Sequence, residues 1–438
     1  MKKVITAGLS FAMAASMLAG CSSKPAENSD SGDKRVLKFD SFSGGNGEKV
    51  FTKLAKAFEK ANPDVDVQLR FEKELPDVLN KENAKGEYSD VVYYNLGQPS
   101  GYTETQLNTH EVLDISDVVE EVGMDENYAN SSIVQYYGDG KSYLMPLKTT
   151  PAGFFYNTEL VGEGKKYDLP TTWDEFWALG DQAKQDGISL FTYPTNGYFD
   201  NTLNALLKET GGEELLSNVL NYDKDAWNTD GAKQTIDILT KLVSPDYLYS
   251  DTVSNANAKD GFTMNQQAVI DGKALFMPNG DWVVNEMADT TPEDYHWGLL
   301  PLPALEKDGE RFVGSMTEQV WIPAQAKNVD DAKAFLKFIY SEEGVKIMAE
   351  GGNIVPTDTM SDTIAAMADG YTKEFFSVYA ALGAFAPYNT DNLPDFDRAA
   401  TVFGSIDSLA TGELSAKDYQ TKLSDAWAKL AKNKAVTE

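Results

Sequence analysis

Between residues 36 and 95 the chain runs through an alternation that strongly limits its possible folds. Residues 36–42 are a mostly apolar run, followed by the turn Gly44-Gly45-Asn46-Gly47. In the helix that follows, Val50, Phe51, Leu54, Ala57 and Phe58 share one face, and Asn62-Pro63 ends it. Val65, Val67, Leu69 and Phe71 then alternate with polar residues, the signature of a half-buried strand. A polar helical stretch leads to Asp90-Val91-Val92-Tyr93-Tyr94-Asn95, a short buried strand. Strand, helix, strand, helix, strand folds as a parallel sheet flanked by helices, because parallel neighbours need a crossover and the helix supplies it. Ligands of such open sheets sit beyond the carboxyl ends of the strands, where residues 44–47 and 95–101 fall.

A second α/β pattern follows. Thr172-Trp173-Asp174-Glu175 reads as a capping box, and the helix it opens buries Trp173, Phe176 and Trp177 as core. Residues 188–193 read as a buried strand, and 203–210 as a helix stopped by Gly211-Gly212. Ile236, Leu239 and Leu242 stripe another helix, with Asp230 as its expected cap. Residues 274–277 and 297–302 read as strands. Ala334, Phe335, Phe338 and Ile339 form a helical face, and the last helix starts at a second box, Ser415 with Asp418, and carries Tyr419, Leu423, Trp427 and Leu430 inward.

The N-terminus carries Lys2 and Lys3 and then an apolar run over 4–18, too short to span a bilayer core and suited to an export signal. It ends in Leu18-Ala19-Gly20-Cys21, which resembles the lipobox of bacterial lipoproteins. That resemblance implies cleavage after residue 20 and a diacylglyceryl group on Cys21. Two acyl chains, at about 0.8 kcal/mol per buried methylene, anchor a protein stably. Residues 22–33 are polar, with Pro and Gly and no apolar period, and read as a flexible linker.

Without its 20-residue leader the 438-residue chain keeps 418 residues, enough for two lobes. The leader holds two lysines and no acid, so the net charge of −30 becomes −32. Such a surface repels nucleic acid and suits a neutral or cationic ligand. Cys21 is the single cysteine, so no disulfide forms within the chain and stability rests on packing.

Catalytic patterns are missing. His110 and His296 are the two histidines, and neither lies in a triad or zinc motif. No G-x-S-x-G occurs. Gly140-Lys141-Ser142 looks like the end of a phosphate-binding loop, but Gln135 stands where the first glycine belongs. Gly45-x-Gly47 follows a strand, but Val50 takes the third glycine position of a dinucleotide fingerprint. The 68 acidic residues leave a glycosidase-type pair open without selecting one. No cofactor or metal is expected.

Several segments together resemble the family-1 extracellular solute-binding proteins, the receptors of bacterial sugar importers. They are Tyr143-Leu144-Met145-Pro146 running on to Phe155-Tyr156-Asn157, Pro170-Thr171-Thr172-Trp173-Asp174-Glu175-Phe176, Gly272-Lys273-Ala274 through Gly280-Asp281-Trp282, and the helix pair over 332–344. The resemblance covers nearly the whole mature chain. It implies a two-lobed periplasmic-binding-protein (Venus flytrap) fold, each lobe an α/β sheet with flanking helices. The chain would cross between lobes three times, near 149–153, 313–317 and 385–389. The expected division is leader 1–20, anchored linker 21–34, first lobe 35–149 and 315–386, and second lobe 150–314 and 387–438. The implied function is capture of a carbohydrate for delivery to ABC transporter permease subunits. The protein would act as a monomer, without catalysis, held by lipid at the outer face of the bacterial cytoplasmic membrane.

A sugar presents hydroxyls and flat C–H faces, which carboxylates, amides and aromatic rings recognise. By resemblance, Trp282 would stack on the ligand and Asp281 would accept from its hydroxyls, with Gly280 in the same loop. Asn196, Tyr198 and Phe199 follow a strand and precede a helix. Gly45, Asn46 and Glu48 follow the first strand, and Asn95 the third. Ser315, Thr317 and Glu318 lie at the second crossing, and Phe385, Pro387 and Tyr388 at the third. Two other readings stay open: a polyamine or other cation receptor of similar fold, using Asp281, Glu318 and Asp391, and a surface glycan-degrading enzyme.

Overall fold

The computed structural model describes residues 34–43, 48–98, 100–131, 133–137, 139–259, 261–382, 384, 385, 396 and 398–437. The leader, Cys21, the linker up to residue 33, Gly45, Asn46, Pro387, Tyr388 and Asp391 lie outside them, as does most of the third expected crossing.

The strands are β1 Arg35–Phe42, β2 Val65–Glu72, β3 Val91–Tyr93, β4 Met145–Asn157, β5 Ser189–Phe191, β6 Ala274–Gly280, β7 Trp297–Leu300, β8 Val313–Trp321 and β9 Ala384–Phe385. They join in the order β2-β1-β3-β8-β4-β6-β5, with β7 also on β4 and β9 on β8. β1 is parallel to β2 and β3, as the first alternation predicts. β5 and β6 are a second parallel pair. Antiparallel pairing of β8 with β3 and β4, and of β4 with β6, ties the two parallel units together.

Each unit has its own core. Around β1–β3 it gathers Leu37, Phe39, Leu54, Phe58, Phe335 and Leu336. There Phe58 meets Phe335 edge to face at 5.1 Å. The second core collects Trp173, Phe176, Phe191, Leu239, Phe276 and Trp427. Each large apolar side chain removed from water contributes roughly 1.5–3 kcal/mol, so two cores stabilise two lobes. β4 belongs to both: Met145 and Leu147 enter the first core, Phe154 and Tyr156 the second. A third cluster packs Ile354, Phe375 and Phe376 with Phe155, Met277 and Trp297 of the second unit's strands, Phe375 lying on Phe155 at 5.1 Å.

Local signals decide most element ends. The Thr172 capping box forms, with Glu175 N donating to Thr172 Oγ1 at 3.2 Å and Thr172 N to Glu175 Oε2 at 3.3 Å. At the last helix Asp418 N donates to Ser415 Oγ at 3.1 Å. Trp173, Phe176 and Trp177 are buried, as are Tyr419, Leu423, Trp427 and Leu430. Gly212, non-helical at φ 68° and ψ −169°, does end the first helix as expected, and a second helix runs on from it to Leu220. Three expectations need correction. Thr229 caps the helix Asp230–Leu242 in place of Asp230, because its hydroxyl accepts from Ala232 N at 3.2 Å. Ala55 is buried where Ala57 is only half-buried. The strands read as 188–193 and 297–302 shorten to Ser189–Phe191 and Trp297–Leu300.

Candidate functional site

The carboxyl ends of β1 and β3, the loop after β6, and the middle of β4 and β8 open onto one cleft of about 1920 Å³. Phe42, Asn95, Lys148, Asp281, Trp282 and Glu318 are among its lining residues, drawn from both lobes. The position beyond the sheet edge follows the rule for open α/β sheets.

The floor comes from β4 and β8. Their register slips between Pro146 and Lys148, so Leu147 is an inserted residue. A bulge of this kind re-aims side chains. Here Leu147 enters the first core and Lys148 lines the cleft. Lys148 stands directly opposite Glu318, with Nζ 3.5 Å from Oε1, and both residues are buried. Burial pushes the Lys148 ammonium down to about 8, against the pull of the Asp281 charge. Burial likewise pushes the Asp281 carboxyl up, while Lys148 and the Trp282 backbone N–H act in the opposite direction.

The wall is aromatic. Trp282 follows Asp281 directly after β6, half-buried. The Tyr198 ring lies 6.3 Å from it at 62°. Trp282 and Met316 line both the cleft and a smaller chamber of about 270 Å³, bounded also by Tyr198, Asn201 and Asn279. Burial first, and then the Glu286 charge, push the Tyr198 hydroxyl up to about 12. It is therefore a neutral donor at ordinary pH.

Of the sequence candidates, Asn95, Asp281, Trp282 and Glu318 line the cleft, and Tyr198 lines the chamber beside Trp282. Gly280 lies beneath the Trp282 ring. Others sit elsewhere. Asn196 donates to Asp407 Oδ2 at 3.3 Å and lines neither cavity. Phe199 is fully buried against Phe191 and Tyr193. Ser315 and Thr317 line neither cavity because side chains alternate along β8, so Met316 and Glu318 take the cleft side. Ser315 Oγ instead lies 2.6 Å from Thr149 Oγ1 and 3.2 Å from the Tyr128 hydroxyl. Asn95 is also tied to β8, its Oδ1 accepting from Gln319 N at 3.0 Å. Glu48 opens the first helix, exposed, and lines neither cavity. Phe385 pairs its backbone with Gly314, and its side chain lies outside the described residues.

Sequence reasoning missed Lys148. Its signal is a lysine inside MPLKTTPAGFFYN, a 13-residue strand buried along its whole length. The cleft-lining residues over 351–370, such as Asn353 and Thr363, carried no signal. Both histidines are exposed, and no group of three or more His, Cys, Asp or Glu side chains among the described residues could hold a metal ion.

The fold and sequence have known counterparts. The structure superposes on a family 1 extracellular solute-binding protein from Bifidobacterium longum subsp. infantis with a TM-score of 0.68 and 22% identity, covering 91% of this chain and 100% of that one. A maltooligosaccharide ABC transporter solute-binding lipoprotein of Streptococcus pneumoniae serotype 4 is 23% identical over 94% of this chain and 93% of its own. The diacetylchitobiose binding protein of Streptomyces coelicolor is 27% identical over 51% of this chain, and the match spans 47% of that protein, about half its length. The sequence profile of the bacterial extracellular solute-binding proteins matches residues 53–374, and the chain belongs to that family.

Proposed function

We propose that this protein is the substrate-binding lipoprotein of an ABC importer, capturing a carbohydrate between its lobes and handing it to the membrane permease. The observation that carries this reading is the pairing of an aromatic ring with carboxylates in one interlobe cleft: Trp282 beside Asp281, with Lys148 and Glu318, and Tyr198 backing the ring from the adjoining chamber. Rings of this kind cover the C–H face of a sugar while carboxylates take its hydroxyl hydrogens. The cleft exceeds the roughly 300–1,000 Å³ of ordinary small-molecule pockets, which favours an oligosaccharide. The relatives named for diacetylchitobiose and maltooligosaccharides support the same class.

The mechanism is conformational. A ligand touching both lobes binds the closed arrangement better than the open one and shifts the population toward closure. β4 and β8 are the crossings about which the lobes would turn. Residues 35–149 and 315–386 trace the first lobe and 150–314 and 387–438 the second, the helix Tyr371–Leu382 leaning Phe375 on the second lobe's Phe155. No covalent step is involved. Residues 1–20 direct export, Cys21 takes the lipid, and the linker holds a monomeric receptor near the permease.

A thermal-shift screen of sugars, oligosaccharides and polyamines, with product detection, tests this. Stabilisation by a carbohydrate without turnover is expected. Turnover, or stabilisation by polyamines alone, would overturn it.

A further inference from the structure

At the floor of the cleft one lysine shares the lining with two acids, Glu318 and Asp281. Lys148 is 7% exposed, on a strand whose other residues are all buried and uncharged. The bulge before it turns it to the cleft, where Glu318 meets it across the ladder at 3.5 Å. Asp281, from the second lobe, acts on the same ammonium. Burying a lysine here is expensive, and packing alone does not account for it, since an apolar side chain of similar length would fill the space at lower cost.

The chemistry of the three groups is complementary to one kind of ligand edge. An ammonium donates three hydrogen bonds and accepts none, whereas carboxylates only accept. Each hydroxyl of a vicinal diol both accepts and donates. Two neighbouring hydroxyls can therefore accept from Lys148 while donating to Asp281 and Glu318. A ligand carboxylate would gain Lys148 but face both acids. A ligand ammonium would face Lys148 itself.

We propose that Lys148 is a ligand-contacting specificity residue which, flanked by Glu318 and Asp281, selects the vicinal hydroxyl edge of an uncharged sugar. This rests on the carbohydrate-receptor reading above. It has a thermodynamic signature. Burial already holds Lys148 near 8, with Asp281 opposing. If sugar oxygens accept from the ammonium, its charged form is favoured and binding takes up protons. If a ring only dries the lysine, its neutral form is favoured and binding releases protons.

The test is calorimetric titration of the mature chain with neutral oligosaccharides at pH 8, in phosphate and in Tris, whose ionisation enthalpies differ. Uptake of a fraction of a proton per ligand is expected in the wild type. Lys148→Met should abolish that uptake and weaken binding at least tenfold, and an oligosaccharide carrying a uronate should bind the wild type at least tenfold more weakly than its neutral analogue. Proton release, no proton change, or equal affinity for the uronate would overturn the assignment, and each is read on the wild type even if the variant does not fold. Spermidine binding that tightens in Lys148→Met, with no heat from any sugar, would overturn both this assignment and the carbohydrate reading.

Discussion

The indole of Trp282 lies over Gly280, so close that a Cβ at position 280 would fall 2.1 Å from its Cζ3. Gly280 ends β6, and its bare Cα lets the ring fold back along the strand that positions it. Tyr198 supports the ring from the side at 6.3 Å. The ring thus stands between the cleft and the chamber.

Gly280→Ala is expected to push the indole out of this position. Affinity for the sugar ligand should fall at least tenfold, about 1.4 kcal/mol. Because the ring can swing into the open cleft, the thermal midpoint should change little. Titration calorimetry beside thermal unfolding separates the two effects.

Asp281→Ala should likewise lower affinity at least tenfold. It also removes the charge that opposes the burial of Lys148. The lysine should then titrate below its wild-type value of about 8, which NMR titration of the Lys148 side chain would read directly.

Glu209 gives a stability prediction away from the site. Burial pushes its carboxyl up to about 8, against a hydrogen bond from Trp173 Nε1 at 3.2 Å and the Arg311 charge. The folded chain therefore holds a proton that the unfolded chain, titrating near 4.5, releases. Stability then declines as pH rises from about 4.5 to about 8. Glu209→Gln keeps an acceptor for Trp173 and should flatten that decline. In denaturant titrations it should gain on the wild type at pH 8 and match it near pH 4.5.

Thr172→Ala removes the capping box of the helix Trp173–Gln185. The expected loss is about 1 kcal/mol of unfolding free energy, with ligand affinity unchanged. Chemical denaturation measures the first, and calorimetry the second.

The lobes were legible because their signals are local: apolar period, caps and turns set β1 to β3 and the helix after Thr172. Local period did not show how the lobes join, because β4 is one continuous strand whose halves enter different cores, and the expected crossings near 149–153 and 313–317 came from the family resemblance alone. Asp281 and Trp282, expected at the cleft from the family resemblance and from their pairing of carboxylate and aromatic, do line it. Ser315 and Thr317 were misplaced because the side of β8 that faces the cleft depends on strand register, which a single strand's sequence leaves open. Asn196 was spoken for by Asp407, a residue 211 positions away. Lys148 needed the bulge at Pro146, a tertiary feature, to reach the cleft.

The most direct measurement is calorimetric titration of the wild type and Trp282→Ala with a panel of neutral oligosaccharides, followed by product analysis of each mixture. The expected result is saturable binding of one sugar class by the wild type, at least tenfold weaker binding by Trp282→Ala, and every sugar recovered intact. Equal affinity in the two proteins, or a cleaved sugar, would contradict a receptor that captures its ligand at Trp282.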